Sequence, residues 1–423
     1  MSFIQCIKQF FSNCFSKQTK LHLVQIAPDQ HLLSPKKMHP GAKKIISTLT
    51  KAHFEAYIVG GAIRDCLTGI KPKDFDIATN AKPEEIKPLF KGALIIGRRF
   101  KIVHVRDRQH TYEVATFRSA SSGKLDKHGF RTHDNGYGRI EHDVLRRDFT
   151  INALYYNVEK NLLLDYTSGI EDIAAKCIRI IGDPVERFRE DPVRILRAAR
   201  LSAKLNFAIE PNTLAAMESE KNLLANISSE RLSLEVQKLF YTGHARQSLE
   251  KLKALGLFAI LFPETQRSLD NERIGKQVQQ FLDQACYNAD QRYKKGLSLS
   301  GAFLYAVLLW WPVKDATRQL RPRDRDYQKR FYQACENVLA KQQKTLRLSK
   351  KLSEGIMQIW MLQINFNKSD DRGNHRVLSS PRFRAGYDLL LLRAHVNEPV
   401  WWQAIKWHAE AEQLQTQQTP STS

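Results

Sequence analysis

The chain has 423 residues, 42% of them hydrophobic and 26% charged, which excludes a wholly disordered protein and allows two or three packed units. Lys and Arg number 66 against 44 Asp and Glu, and the net charge of +22 favours nucleic acid as a partner, although a solvated basic surface has the same composition. The six cysteines form no CxxC pair and no zinc-type spacing, so the sequence indicates neither a zinc site nor a disulfide framework and favours a reducing cytoplasm.

The chain begins with a basic amphipathic segment, "MSFIQCIKQFFSNCFSKQTK", whose apolar residues recur near helical spacing. It lacks the continuous apolar stretch and the cleavage site of a secretory signal. We predict a frayed or partner-binding helix, with peripheral contact at the inner face of a membrane as the alternative. The apolar segment "LSLSGAFLYAVLLWWPV" at 297–313 is short for a membrane span, and we expect a buried helix there.

Strand and helix patterns alternate from residue 40 to about residue 165. In chain order we predict a helix at "KKIISTLTKAHF", a strand and turn at "AYIVGG", a helix at "AIRDCLTG", a strand at "KDFDIAT" and a short helix at "KPEEIKPLF". Strands then follow at "ALIIG", "KIVHVRD" and "TYEVATFR", and a hairpin ends at "NLLLDYTSG". The polar segment at 119–143 is predicted to be a mobile loop.

Beyond residue 169 the apolar residues recur at three- and four-residue spacing, so the remainder is predicted to be all-α. The expected fold is therefore α+β: an α/β head with a small mixed or antiparallel sheet, followed by an all-α neck, body and C-terminal region. The predicted divisions are an N-terminal extension (1–38), an α/β head (39–168), a helical neck (169–265), a basic helical C-terminal region (266–410) and a disordered tail (411–423).

The segment "IVGGAIRDCLTGIKPKDFDIAT" carries the chemistry of the head. Gly60 and Gly61 lie where a strand meets a helix, and glycines there allow backbone N–H groups to approach a phosphate. Arg64, one helical turn later, adds positive charge for a polyphosphate. Asp74 and Asp76 alternate on a strand and therefore share a face, where their oxygens suit Mg²⁺. The combination predicts a site for a metal-bound nucleoside triphosphate.

Two residues are candidates for a third acidic group beside the two aspartates. Glu113 lies on a predicted strand that can pair with the strand of Asp76, which suits a metal ligand. Asp148 follows two arginines in "RRDFTINAL" and can instead orient those arginines or a sugar. The residues alone leave both assignments open.

Five segments in order, "GGAIRD", "DFDIAT", "EVATFR", "RRDFTINAL" and "REDPVRILRAARL", resemble the class II nucleotidyltransferases of the DNA polymerase β superfamily. That family contains the tRNA CCA-adding enzymes and the bacterial poly(A) polymerases. The resemblance covers residues 38–265, and "GRRFKIVHV", "GAFLYAVLLWWPV" and "SSPRFRAGYDLLLLRA" are similar to the poly(A) polymerase branch.

The resemblance implies roles for individual residues. Asp74 and Asp76 would bind two catalytic Mg²⁺ ions, Asp148 would be the third acidic position, and Arg147 and Asn152 would lie near ribose and phosphates. Asp191, Arg194 and Arg197 would face the incoming base, because an acceptor and a donor one helical turn apart can read a base edge without a template. The residues expected to bind RNA are basic: Arg98, Arg99, Arg321, Arg323, Lys350 and Lys351.

The implied activity is template-independent transfer of AMP from ATP to RNA 3′ ends, with release of pyrophosphate. The alternatives are CCA addition to tRNA and, in another class, a catalytically silent RNA-binding regulator. The expected partners are RNA and ATP, together with RNA-decay or RNA-chaperone proteins, and we expect a cytoplasmic monomer. The tryptophans of "LLWWPV" and "VWWQAIKW" are interpreted as core residues, with base stacking as the alternative.

Overall fold

The computed structural model describes residues 21–97, 101–119, 124–125, 131–132, 136–320, 327–367 and 371–418. The chain divides into two compact units. The first contains the described residues up to Arg194 together with Leu205–Glu220, and the second contains Ile195–Lys204 and the described residues from Lys221 onward. The predicted membrane contact through residues 1–20 lies outside the described residues and stays a prediction.

A mixed sheet forms the first unit, as the sequence predicted. Within the described residues it has eight strands in the order β1-β10-β9-β2-β3-β6-β5-β4, in which β3 and β6 are parallel and the other neighbours antiparallel. Its strands are β1 (Val24–Ile26), β2 (Ala56–Val59), β3 (Asp76–Thr79), β4 (Leu94–Ile96), β5 (Ile102–Asp107), β6 (His110–Thr116), β9 (Leu154–Asn157) and β10 (Leu162–Asp165).

Helices and two small strand pairs complete the first unit. The helices are α1 (Pro40–Lys51), α2 (Gly61–Leu67), α3 (Pro83–Ile86), α4 (Ile140–Arg146), α5 (Gly169–Ala174), α6 (Pro184–Glu190) and α8 (Pro211–Glu220). The small pairs are antiparallel β7 (Lys124–Leu125) with β8 (Arg131–Thr132), and parallel β11 (Cys177–Ile178) with β12 (Ala208–Ile209). Helix α7 (Val193–Leu205) begins in the first unit and continues through the second.

Apolar side chains cover both faces of the sheet because alternate strand residues point to opposite faces. Ile58 and Ile77 belong to one core, which includes the apolar face of α1, whereas Val59 and Ala78 belong to the other core. Helix α1 begins at Pro40, and the side chain of the preceding residue, His39, accepts a hydrogen bond from the backbone N–H of Gly41. Burial on both faces holds the strand ends in place.

The second unit is helical throughout its described part. Its helices are α9 (Ser229–Phe240), α10 (Ala245–Ala254), α11 (Leu257–Leu261), α12 (Pro263–Leu269), α13 (Gly275–Lys294), α14 (Gly301–Leu308), α15 (Trp310–Gln319), α16 (Tyr327–Gln343), α17 (Lys350–Asn365), α18 (Asp371–Leu378), α19 (Phe383–His395) and α20 (Trp401–Gln418). Among the residues described, none of the helices combines the length and the apolar character that crossing a bilayer requires.

Four local predictions differ from the structure. Strand β3 begins at Asp76, so Asp74 lies in the preceding loop rather than in the strand. The segment at 119–143, predicted as a loop, contains β7, β8 and the first half of α4. The region after residue 169 is not purely helical, because β11 pairs with β12. Residues 411–418, predicted as disordered tail, continue α20, since Glu, Gln and Leu all favour helix.

Candidate active site

The chain turns sharply at Gly60, between β2 and α2. Gly60 has φ 71° and ψ −131°, a conformation that essentially only glycine adopts without strain. A Cβ atom at this position would lie 3.4 Å from Nη1 of Arg147, so the glycine also leaves room for a guanidinium. The first N–H groups of α2 point back toward this turn by helix geometry, where an anion can accept hydrogen bonds from them.

Three carboxylates lie on or just before the inner strands β3 and β6 of the sheet. The register pairs Ile77 with Val114, so the preceding residues, Asp76 and Glu113, lie side by side on the opposite face. Asp74, Asp76 and Glu113 are exposed, whereas the intervening Phe75 is buried.

Asp76 has a raised pKa. Reduced hydration and, secondarily, the charges of Glu113 and Asp74 raise it to about 6, against the opposing charge of Arg147. Glu113 also lies 3.6 Å from Nε2 of His104 on the adjacent strand. Within the described residues no three His, Cys, Asp or Glu side chains converge closely enough to hold an ion by themselves.

Asp148 begins a network of hydrogen bonds that runs beneath the glycine turn. Its Oδ1 accepts from the Asn152 side-chain amide at 3.0 Å and from the backbone N–H of Phe149 at 2.8 Å. The Asn152 Oδ1 in turn accepts from Nη1 of Arg64 at 2.5 Å. Arg64 also donates through Nε and Nη2 to Oδ1 of Asp65, at 2.9 and 2.6 Å.

The position of Arg64 differs from that of a mobile phosphate ligand. Arg64 and Asp65 are only 6% and 7% exposed. Arg64 is therefore held in a buried ion pair with Asp65, and its guanidinium is oriented before any substrate arrives. A direct contact with phosphate stays a prediction for this residue.

Arg147 is held by a second network, which the sequence did not reveal. Asp143 on α4 accepts from Nε and Nη2 of Arg147 at 3.2 and 3.0 Å, and the Tyr155 hydroxyl donates to Asp143 at 2.6 Å. Burial alone would lower the pKa of Arg147, but Tyr155 and Asp143 outweigh burial and raise it above its ordinary value. Nη1 faces the backbone oxygen of Asn152 at 3.4 Å.

The helix end at "RFREDPVR" joins the site through Arg187. Its Nη2 donates to the backbone oxygen of Arg147 at 2.5 Å, and its Nη1 pairs with Glu190 at 2.6 Å. Burial and the neighbouring Arg194 lower the pKa of Arg187 to about 10, against the opposing charges of Glu190 and Asp148. The segment that follows the helix is thereby tied to the RRD motif.

Arg194 and Asp191, the predicted base-reading pair, lie at this joint. Nη1 of Arg194 donates to Glu190 at 3.0 Å and to the backbone oxygen of Arg187 at 2.8 Å. The Arg194 guanidinium is largely buried, whereas Asp191 is half-buried and caps the next helical turn through Val193 N–H at 3.3 Å.

The first unit therefore brings together most of the predicted site residues. Sequence reasoning missed four of their supports, Asp143, Tyr155, Arg187 and Glu190. A signal was present for two of them, Glu190 and Asp143, because Glu190 lies within the segment "REDPVRILRAARL". Asp143 lies four residues before Arg147 on a helix, a spacing typical of an ion pair.

Three family profiles match the chain in order. The Poly A polymerase head domain matches residues 56–179, and a profile described as a probable RNA and SrmB-binding site of polymerase A matches residues 206–269. The polymerase A arginine-rich C-terminus matches residues 323–423. Poly(A) polymerase I of Salmonella typhi is 36% identical over 408 residues, covering 93% of this chain and 88% of its own length. The chain belongs to the bacterial poly(A) polymerase family.

Relatives outside the poly(A) polymerase branch are similar over less of the chain or at lower identity. The CCA-adding enzyme of Levilactobacillus brevis is 40% identical but covers only 56% of this chain and 59% of its own length. The crystal structure of the Bacillus stearothermophilus CCA-adding enzyme in complex with CTP superposes with a TM-score of 0.59 at 26% identity, covering 89% of this chain and 84% of that one. The predicted family and nucleotidyltransferase class are confirmed, and the chain is an RNA nucleotidyltransferase.

The remaining predicted residues of this poly(A) polymerase family member belong to the second unit or lie outside the described residues. Lys350 and Lys351 are exposed at the start of α17, which Ser349 caps. Arg98, Arg99, Arg321 and Arg323 lie outside the described residues. Arg197 belongs to the second unit, where its guanidinium lies 3.9 Å from Glu235 on α9.

Proposed function

We propose that the protein adds AMP from ATP to RNA 3′ ends without a template and releases pyrophosphate. The observation that carries this proposal is the extent of similarity. Poly(A) polymerase I of Salmonella typhi aligns with 93% of the chain, whereas the Levilactobacillus brevis CCA-adding enzyme aligns with 56%. The arginine-rich C-terminal profile at 323–423 supports the same choice.

The donor set of the head fits magnesium. Asp74, Asp76 and Glu113 offer hard carboxylate oxygens. Reduced hydration and the charges of Glu113 and Asp74 raise the pKa of Asp76, and a divalent cation would offset this unfavourable placement of negative charge. Mg²⁺ typically takes one or two carboxylates and completes its shell with water and substrate phosphates, which suits a site without three converging protein ligands. Two bound Mg²⁺ ions would supply activation of the RNA 3′-hydroxyl and charge neutralisation on the leaving pyrophosphate.

The chain's own residues contribute binding and orientation. We propose that the N–H groups at the Gly60 turn hold the triphosphate. Asp148 keeps the Asn152 amide in one orientation through its 3.0 Å hydrogen bond, and Arg64 fixes the opposite end of that amide. We propose that Asn152 and Arg147 contact the ribose and phosphates from these held positions. Such preorganised donors need little rearrangement when charge develops on the triphosphate.

Base selection is proposed for Asp191 and Arg194. Adenine offers a donor at N6 and an acceptor at N1, so its edge requires one acceptor and one donor from the protein. The contacts of Arg194 with Glu190 and the Arg187 oxygen support this role by fixing its guanidinium. The same pair can also serve cytosine, so exclusion of CTP depends on the shape around them. Arg197 remains a proposed neighbour of this site.

We also propose that the head (39–168) carries the chemistry, the neck (169–265) selects the nucleotide and the basic C-terminal region (266–410) binds RNA. Exposed lysines such as Lys350 and Lys351 would contact phosphates, which gives affinity without sequence choice.

The activity test supplies the full chain with an unstructured RNA, Mg²⁺ and each of the four triphosphates singly. Long tails from ATP alone are expected. A truncated tRNA supplied with ATP and CTP is the second substrate, and extension that stops after CCA, with no tailing of the unstructured RNA, would assign the protein to the CCA-adding branch. RNA binding without turnover of any triphosphate would support the non-catalytic regulator.

The metal assignment is tested with Asp74→Asn and Asp76→Asn. Both should abolish extension, because each removes a charged ligand and leaves the side-chain shape unchanged. Asp107→Asn is the matched control, since Asp107 lies in the same sheet but pairs with exposed Lys44 at 3.2 Å. Extension by Asp76→Asn at the rate of this control would contradict the assignment.

A further inference from the structure

An aromatic cluster lies behind the carboxylates, on the opposite face of the sheet. His39 precedes α1, and its ring centroid lies 6.2 Å from that of Phe75 and 5.8 Å from that of Tyr112. His110 packs against His39 with centroids 4.4 Å apart. Phe75 and Tyr112 are buried.

The register connects this cluster to the proposed metal ligands. Extending the parallel pairing of Ile77 with Val114 back by two residues places Phe75 opposite Tyr112. Phe75 lies between Asp74 and Asp76 in the chain, and Tyr112 immediately precedes Glu113. Neighbouring residues on a strand point to opposite faces of the sheet. Phe75 and Tyr112 therefore lie on one face, and the carboxylates of Asp76 and Glu113 lie on the other.

His39 holds both strands by polar as well as apolar contacts. Its Nδ1 forms a short hydrogen bond with the Tyr112 hydroxyl and lies 3.4 Å from the backbone N–H of Gly41. A Cβ atom at Gly41 would collide with the Tyr112 hydroxyl, so the pocket behind the strands is filled. A shift of His39 would therefore move Phe75 and Tyr112, and with them the carboxylates on the other face.

We propose that His39 is a positioning residue that sets the spacing between Asp76 and Glu113, and thereby the affinity of the site for a divalent cation. This inference rests on the proposed function only in taking those carboxylates as metal ligands. It assigns His39 no contact with metal, ATP or RNA. Residues that orient metal ligands from outside the ligand set commonly change metal affinity or activity by about 10- to 100-fold when replaced.

The test measures Mn²⁺ binding directly, by electron paramagnetic resonance on the full chain with a non-hydrolysable ATP analogue. His39→Ala should weaken Mn²⁺ binding by about 10-fold. Tyr112→Phe, which removes only the hydroxyl, should weaken it in the same direction by a smaller factor and guards against failure of the alanine variant to fold. His39→Asn keeps a helix-capping acceptor, so it should restore thermal stability without restoring Mn²⁺ affinity.

His31→Ala is the matched control. His31 is in the same unit. Its ring centroid lies 5.8 Å from that of Tyr156 on β9, and its Nε2 lies 3.1 Å from the backbone oxygen of Asn161, which precedes β10; neither strand carries Asp76 or Glu113. Mn²⁺ affinity in His39→Ala equal to that in His31→Ala would overturn the proposal, as would full recovery of affinity in His39→Asn. Tight Mn²⁺ binding by a wild-type chain that makes no poly(A) would refute the proposed function and leave this inference standing.

Discussion

Replacing Asp143 with Asn should destabilise the head strongly, because this carboxylate is the counter-charge of a buried arginine. Asp143 accepts from Arg147 at 3.2 and 3.0 Å and from the Tyr155 hydroxyl at 2.6 Å, and it is buried. The asparagine keeps the shape but removes the charge. Breaking a buried ion pair by removing one partner costs about 3–5 kcal/mol. Since about 1.4 kcal/mol is a factor of ten, the population of unfolded head should rise by about two to three and a half orders of magnitude.

Hydrogen exchange is the suitable assay for this change. The six tryptophans all lie between residues 310 and 407, so their fluorescence does not report on the first unit. Amides of β2 and β3, in the middle of the sheet order, should exchange only when the head opens globally. Their protection in the full chain, measured by mass spectrometry, should fall by at least 100-fold in Asp143→Asn.

The control is an ion pair that is exposed to solvent. Asp107→Asn breaks an exposed ion pair with Lys44 and should cost less than about 1 kcal/mol, or about fivefold in protection. The double variant Asp143→Leu with Arg147→Met removes both charges and should be less destabilised than Asp143→Asn. A loss of protection below tenfold in Asp143→Asn would show that Arg147 does not depend on this carboxylate.

Three further predictions test other parts of the structure. Gly60→Ala should cost about 1–3 kcal/mol of stability and abolish RNA extension, because φ is 71° and Nη1 of Arg147 lies 3.4 Å from the added carbon. Gly69→Ala, with φ 75° and no atom within 4 Å, should cost about 1–2 kcal/mol and leave extension unchanged. Hydrogen exchange measures the stability of both variants, and primer extension measures their activity. In the absence of metal, the pKa of Asp76 is raised from 3.8 to about 6, so its contribution to stability is present below pH 3.8 and is lost as pH rises through 6. Calorimetry should therefore show a fall in thermal stability over this interval, and the fall should be smaller in Asp76→Asn. An equal fall in the variant would contradict the raised pKa. Trp407→Ala should cost about 3–5 kcal/mol in urea unfolding, since Trp407 is buried and donates to a backbone oxygen at 2.9 Å, whereas Trp402→Ala, 78% exposed, should stay within about 0.5 kcal/mol.

Local periodicity explains why much of the head could be predicted. The order of strands and helices from residue 40 to residue 165 follows apolar spacing and glycine turns, both of which are properties of neighbouring residues. The exposure of Asp76 beside buried Phe75 follows from strand alternation in the same way. The parallel pairing of β3 with β6 was only one of several registers open to the sequence, because pairing depends on residues far apart in the chain.

The C-terminal aromatics show where pattern reasoning ended. Trp311 and Trp407 are buried, as the core interpretation predicted, but Trp401 and Trp402 are 60% and 78% exposed. The three tryptophans of the motif "VWWQAIKW" lie within eight residues of one another, and the composition of the motif does not distinguish them. Only the angular positions on α20, set by packing against the preceding helices, separate the buried ring from the exposed ones.

The arginines of the site carry the final lesson about function. Sequence reasoning treated Arg64 and Arg147 as cations waiting for phosphate, yet each is already bonded to a carboxylate, Asp65 and Asp143 respectively. Each arginine must stay beside its carboxylate partner, so neither side chain can move freely to follow a substrate. The orientation of their guanidinium groups beside Gly60 and Gly61 is consequently fixed before ATP binds. A polymerase that repeats one step at every 3′ end benefits from such a site, because the orientation of its charges costs no reorganisation in each cycle.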